Sequence, residues 1–91
     1  MISKIYSIRD ELSGFMSSLA EANDAVALRN FVAAVRNPSP GNVMRSAPSN
    51  FSLYALATFD TDSGFLEPIT PIQHIANAIS YVADEFAKEA P

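Results

Sequence analysis

The sequence predicts an α+β domain of element order β-α-β-β-α, a truncated ferredoxin-like three-stranded sheet with two helices. Three observations carry that prediction. Residues 51–59, FSLYALATF, alternate with a period of two, so Phe51, Leu53, Ala55, Ala57 and Phe59 share one face and Ser52, Tyr54, Leu56 and Thr58 the other. Residues 24–36 place Ala25, Leu28, Phe31 (or Val32) and Val35 at the three-and-four spacing of one helical stripe. Thr70-Pro71-Ile72-Gln73 has a threonine cap, a proline at the first helical position and a glutamine at the third, the arrangement that opens a helix.

In chain order, residues 2–9 are rich in β-branched and aromatic types, with Ile2, Tyr6 and Ile8 on one parity and Ile5 on the other, which predicts a first strand with one buried face. Residues 10–22 have no clean period and read as a connection with a short extended or helical piece around 15–19. Asn23 is the natural N-cap of the first helix, and Asp24 suits the positive end of its dipole. That helix stops at Asn37-Pro38, because proline disfavours helical geometry in the residue before it. Residues 38–50 hold three prolines and a glycine and read as a surface loop. After the strand over 51–59, Asp60-Thr61-Asp62-Ser63-Gly64 is turn chemistry, so residues 65–69 should return as a short hairpin partner, limited by Pro68. The C-terminal helix is placed over 71–87, with Ile72, Ile75, Ile79, Val82 and Phe86 as its stripe.

A chain of 91 residues is one domain, 1–91, since it is too short to build two cores. A right-handed crossover makes the first two strands parallel, and the third is expected to insert between them. Ile5, Tyr54 and Leu56 would then decorate the sheet face away from the helices, and the outer edge of the first strand would stay unpaired. Either the second helix crosses to cover that face or a second copy does; a homodimer, which would also cover the edge, is expected, with Ile5, Tyr54 and Leu56 at the interface.

Ten acidic against six basic residues give a net charge of −4, which opposes phosphate at long range. With no cysteine there is no disulfide framework and no thiolate ligand. The early charges Lys4, Arg9, Asp10 and Glu11 argue against a secretory signal, and no apolar run has the roughly 18 residues of a spanning helix. No membrane partner is expected. Asp60-x-Asp62-x-Gly64 lacks the glycine and glutamate positions of a calcium loop and reads as a hairpin turn. His74, the single histidine, has no partner at metal-ligand spacing and reads as an exposed helical residue. No nucleophile elbow and no glycine-rich phosphate loop occurs, so no enzyme, cofactor, metal or small-molecule substrate is expected. Arg29 and Arg36, seven apart on the first helix, with Arg45 in the following loop, form a candidate basic patch for nucleic acid. Tyr6 and Tyr54 would stack bases only if both faced the open side, and Tyr6 shares its parity with Ile2 and Ile8.

Ala27, Arg29, Phe31 and Val35, then Asn37-Pro38, a loop, Pro48, and Phe51, Leu53, Tyr54 and Leu56 leading into Phe59-Asp60 and Gly64 form one extended pattern. In it the chain resembles the small non-structural protein of gokushovirus-type Microviridae, the single-stranded DNA phages; the opening KIYSIRD is similar to that family's first strand. The likeness covers about two thirds of the chain. It departs at Ala47, where the family often has histidine, at Asn50, where it has an acidic residue, and at Ala57, where it has glycine. The resemblance implies a protein made in the cytoplasm of the infected bacterium, absent from the capsid and acting in single-stranded genome synthesis or packaging. Arg29 is the basic residue that matches the family pattern. The expected function is therefore non-enzymatic assistance to single-stranded DNA production, by DNA contact through Arg29, Arg36 and Arg45. The alternative is an adaptor that binds a phage or host replication protein and never touches DNA.

Overall fold

The computed structural model describes residues 1–82. Its framework is one antiparallel sheet of four strands: β1 (Ile2–Asp10), β2 (Gly14–Glu21), β3 (Phe51–Asp60) and β4 (Leu66–Asn77), in the spatial order β2-β1-β3-β4. A 13-residue helix, α1 (Asp24–Arg36), packs on one face. A short helix, α2 (Val43–Ser46), and a 3-10 turn over Pro48–Asn50 lie in the connection to β3.

This overturns the truncated ferredoxin-like β-α-β-β-α arrangement at three points. First, residues 10–22 are not a mere connection. Asp10 accepts from the Leu12 amide at 3.0 Å and from the Ser13 hydroxyl at 3.0 Å, and Gly14 takes φ +99°, a left-handed conformation that costs a residue with a Cβ. The chain therefore reverses within three residues, and β2 runs back along β1 from Gly14 opposite Asp10 to Glu21 opposite Lys4.

Second, β1 and β3 are antiparallel rather than parallel, with Ile2 opposite Asp60 and Asp10 opposite Phe51. The edge of β1 expected to be unpaired is occupied by β2. Third, residues 71–77 belong to β4, not to a helix over 71–87. His74 lies opposite Tyr54, Gln73 opposite Ala55 and Asn77 opposite Ser52. Stopping the hairpin partner at residue 69 would leave the first half of β3 unpaired along the edge away from β1, and satisfying those groups outweighs the local capping signal at Thr70. Residues 79–82 do turn helically, and the rest of the expected helix lies outside the described residues.

Helix α1 begins where expected, with the Asn23 side chain accepting from the Val26 amide at 2.9 Å. Its buried stripe is rotated from the expected one: Ala27, Phe31 and Val35 are buried, Leu28 is half-buried and Ala25 is exposed. At the other end the Asn42 amide donates to the carbonyls of Ala34 and Asn37 at 2.8 and 2.9 Å, closing the helix where its own hydrogen bonds run out. The core joins this stripe to Tyr6, Phe51, Leu53, Ala55, Ala76, Ala78 and Val82. The alternation of β3 holds through Ala55 and then breaks, because a bulge leaves Leu56 between the pairs Tyr6–Ala55 and Ile5–Ala57. The loop over 38–50 thus contains α2 and the 3-10 turn rather than irregular chain alone.

Truncating the buried ring in Phe31→Ala should cost about 3–5 kcal/mol in denaturant unfolding, whereas removing the cap in Asn23→Ala should cost about 1 kcal/mol. Equal effects of the two would contradict this division between packing and capping.

Candidate functional site

Directly opposed residues on antiparallel strands share a face, so the register sorts the side chains of the sheet. Tyr6 lies opposite Leu19 and Ala55, and Ile8 opposite Leu53; with Phe51 and Ala76 these look toward α1. Ser7, Arg9, Ser52, Tyr54, His74 and Asn77 lie on the other face, opposite one another in pairs. No described helix covers that face.

Across it runs a row of three rings. Phe15 on β2 meets Tyr54 on β3 at 5.7 Å between centroids, and Tyr54 meets His74 on β4 at 5.3 Å, both edge to face. Edge-to-face contact sets the positive rim of one ring against the negative face of the next. His74 is further held by Asn77, whose Oδ1 lies 2.8 Å from Nε2 and also accepts from the Ser52 hydroxyl at 2.8 Å. Phe15 is 45% exposed and His74 is exposed, while Tyr54 is half-buried. Arg9 sits opposite Phe15 and Ser52 in the same face, and among the described residues its guanidinium has no hydrogen bond or ion pair.

The carboxylates of the sheet are elsewhere. Glu21, Lys4, Thr58 and Glu67 form one row across the strands, on the side where Lys4 bonds Asp24 of α1. Asp10, Asp60 and Asp62 are engaged in turns. Among the strand residues the open face thus carries an arginine and no carboxylate, on a chain whose net charge is −4, while Glu11 is exposed in the β1–β2 turn.

On the covered side, the Tyr6 hydroxyl donates to Asp24 Oδ1 and Lys4 Nζ donates to the same oxygen at 3.2 Å. The hydrogen bond from Tyr6 holds the Asp24 carboxyl below the usual range; burial opposes this and Lys4 assists it. Burial, then the bond to Asp24, pushes the Tyr6 phenol well above its ordinary value. The cluster joins β1 to the first turn of α1, which is a structural task. A groove of about 230 Å³ lies beside it, between α1 and β2, lined by Tyr6, Ile8, Leu19, Phe31 and Leu53, with Glu21 and Asn30 bonded to each other at 2.7 Å. No group of three or more metal-ligating side chains occurs among the described residues.

The structure brings Arg36 and Arg45 together but commits both to internal bonds. Arg36 Nε donates to the Tyr81 carbonyl at 3.3 Å and its guanidinium lies 5.9 Å from the Tyr81 ring centre, while Arg45 Nη1 donates to the Arg36 carbonyl at 2.9 Å. Arg29 is exposed on α1. Of Ile5, Tyr54 and Leu56, Ile5 is half-buried on the open face, Tyr54 is the middle ring of the row and Leu56 sits at the bulge. Tyr6 is 2% exposed and belongs to the core. Phe15, Arg9 and His74 were not expected at a site. The parity that pairs Arg9 with Ile5 on the first strand is visible in the sequence, whereas Phe15 and His74 meet Tyr54 only once β2 and β4 exist.

These features define a small protein with a four-stranded antiparallel sheet, one face closed by a helix and the other an open, aromatic surface. The chain belongs to the family described as Phage ORF5 protein, which matches residues 3–81. It is a phage protein, and no curated protein or solved structure matches it.

The opposed shifts in the Tyr6–Asp24 pair set the pH dependence. The depressed Asp24 carboxyl contributes stability that is present above the unfolded carboxylate range, about pH 4, and is lost as pH falls below it. The raised Tyr6 phenol contributes stability present below about pH 10 and lost as pH rises beyond it. Thermal melts of Asp24→Asn should show both flanks flattened relative to the parent; unchanged flanks would place the titrating groups elsewhere.

Proposed function

We propose that the chain is a non-enzymatic, non-structural phage protein of the gokushovirus type that assists synthesis or packaging of a single-stranded DNA genome by binding the strand. The observation that carries the reading is the sorting of charge by the sheet: one broad face carries no strand carboxylate and is covered by no described helix, although the chain is acidic overall. A flat surface of this kind suits an extended polymer. The groove beside α1 gives little to a reaction, because its lining is mostly apolar and its Glu21 and Asn30 satisfy each other.

A second reading is favoured by the exposed β2 edge. Phe15, Met16 and Leu19 are 45%, 47% and 58% exposed on a strand whose outer backbone groups face no described strand. An edge of that kind accepts another strand, which is the route to an adaptor that binds a replication protein, or to a homodimer through β2 of a second copy.

Fluorescence anisotropy with labelled single-stranded and duplex oligonucleotides separates the readings. Single-strand binding should be measurable at low salt and weaken steeply as salt rises. Absence of binding at low salt would remove the DNA reading and leave the adaptor. Light scattering that showed only monomer at high micromolar concentration would remove the homodimer.

A further inference from the structure

Resting on the reading that the chain handles single-stranded DNA, we propose that the strand crosses the open sheet face, with bases stacked on Phe15, Tyr54 and His74 and a phosphate paired with Arg9. This differs from the helix-side patch of Arg29, Arg36 and Arg45 in both place and chemistry.

Four observations converge on the face. The three rings come from β2, β3 and β4, so the row runs across the strands, with successive centroids 5.7 and 5.3 Å apart. Antiparallel sheets with aromatics on neighbouring strands stack two or three bases in this manner, and such stacking tolerates any base because each has a π face. The outer rings are accessible, whereas Tyr54 between them is half-buried and anchored by both. Asn77 orients His74 through Oδ1, and its amide nitrogen has no partner among the described residues, leaving a donor for a base edge.

Charge complementarity selects the occupant. Arg9 projects from the same face, and its chain neighbour Asp10 has both carboxylate oxygens engaged by Leu12 and Ser13 in the β1–β2 turn. No carboxylate of the four strands lies on this face, and Arg9 makes no ion pair among the described residues, so it is available to a phosphate. On the helix side, by contrast, Arg36 and Arg45 would have to give up bonds to Tyr81 and Arg36 carbonyls to reach one. A cation without a counter-ion beside exposed rings fits a polyanion that also carries flat apolar groups, which is the chemistry of an unpaired nucleic-acid strand.

The test uses the full chain and a fluorescent oligothymidylate. Phe15→Ala and His74→Ala, both at exposed positions, should each weaken binding about tenfold without changing its salt dependence. Arg9→Gln should lower the magnitude of the salt slope by about 0.7, the value of one phosphate contact on a single strand. Tyr54→Phe should bind like the parent, since the ring is kept. The ring resonances of the single histidine should shift on adding the oligonucleotide, a readout that a purely structural role for His74 would not give. If the parent binds but these variants are unaffected while Arg29→Ala and Arg36→Ala weaken it, the strand runs on the helix side: the inference falls and the DNA reading stands. If the parent does not bind, both fall, and a protein becomes the occupant of the face.

Discussion

The packing of α1 onto β1 and β3 is the contact on which the rest of the molecule depends. Ala27, Phe31 and Val35 meet Tyr6, Leu53 and Ala55 in one core, and nearly all of the most buried side chains belong to it. A helix of 13 residues is about 20 Å long and covers one face of a four-stranded sheet, not two. Among the described residues no helix covers the second face. Even on the covered side the helix does not reach all of β2, and the groove lined by Leu19 and Phe31 is the gap that remains.

That asymmetry organises the charges. The Lys4–Asp24–Tyr6 cluster ties the sheet to the start of the helix, so acidic groups gather on the side where a cation and a helix N-terminus can receive them. The turns take up Asp10 and Asp60, whose oxygens hold neighbouring backbone and hydroxyl groups, while Asp62 pairs with the N-terminal ammonium at 2.9 Å. What is left for the open face is hydroxyl, amide, aromatic and aliphatic groups and one guanidinium. An acidic protein can in this way present a surface that does not repel phosphate, because the field close to a surface is set by the nearest groups more than by the total charge.

The two candidate surfaces differ in how they are built. Arg36 holds the Tyr81 carbonyl and Arg45 the Arg36 carbonyl, whereas Arg29 is exposed on α1. The aromatic row is held from below by the sheet and sideways by edge-to-face contacts, with Ser52 and His74 both bonded to Asn77 Oδ1. A surface of that kind is preorganised, and a ligand reaching it displaces water rather than protein contacts.

The sequence by itself determined the local elements whose signals need no partner: the Asn23 cap and extent of α1, the strand over 51–59, the turn at 60–64 and the burial of Tyr6. It also showed that Tyr54 lies away from the core, since alternation along one strand is enough for that. The tertiary structure alone decided β2 and β4. Residues 15–20 are exposed throughout, so no periodic pattern announces a strand; they are extended because the tight turn at 11–14 sets their backbone against β1. Residues 71–77 carry a helix-opening sequence and become strand because β3 needs a partner along its full length. The meeting of Phe15, Tyr54 and His74 follows from those two strands, since side chains about twenty and forty residues apart become neighbours through backbone pairing that periodicity does not encode.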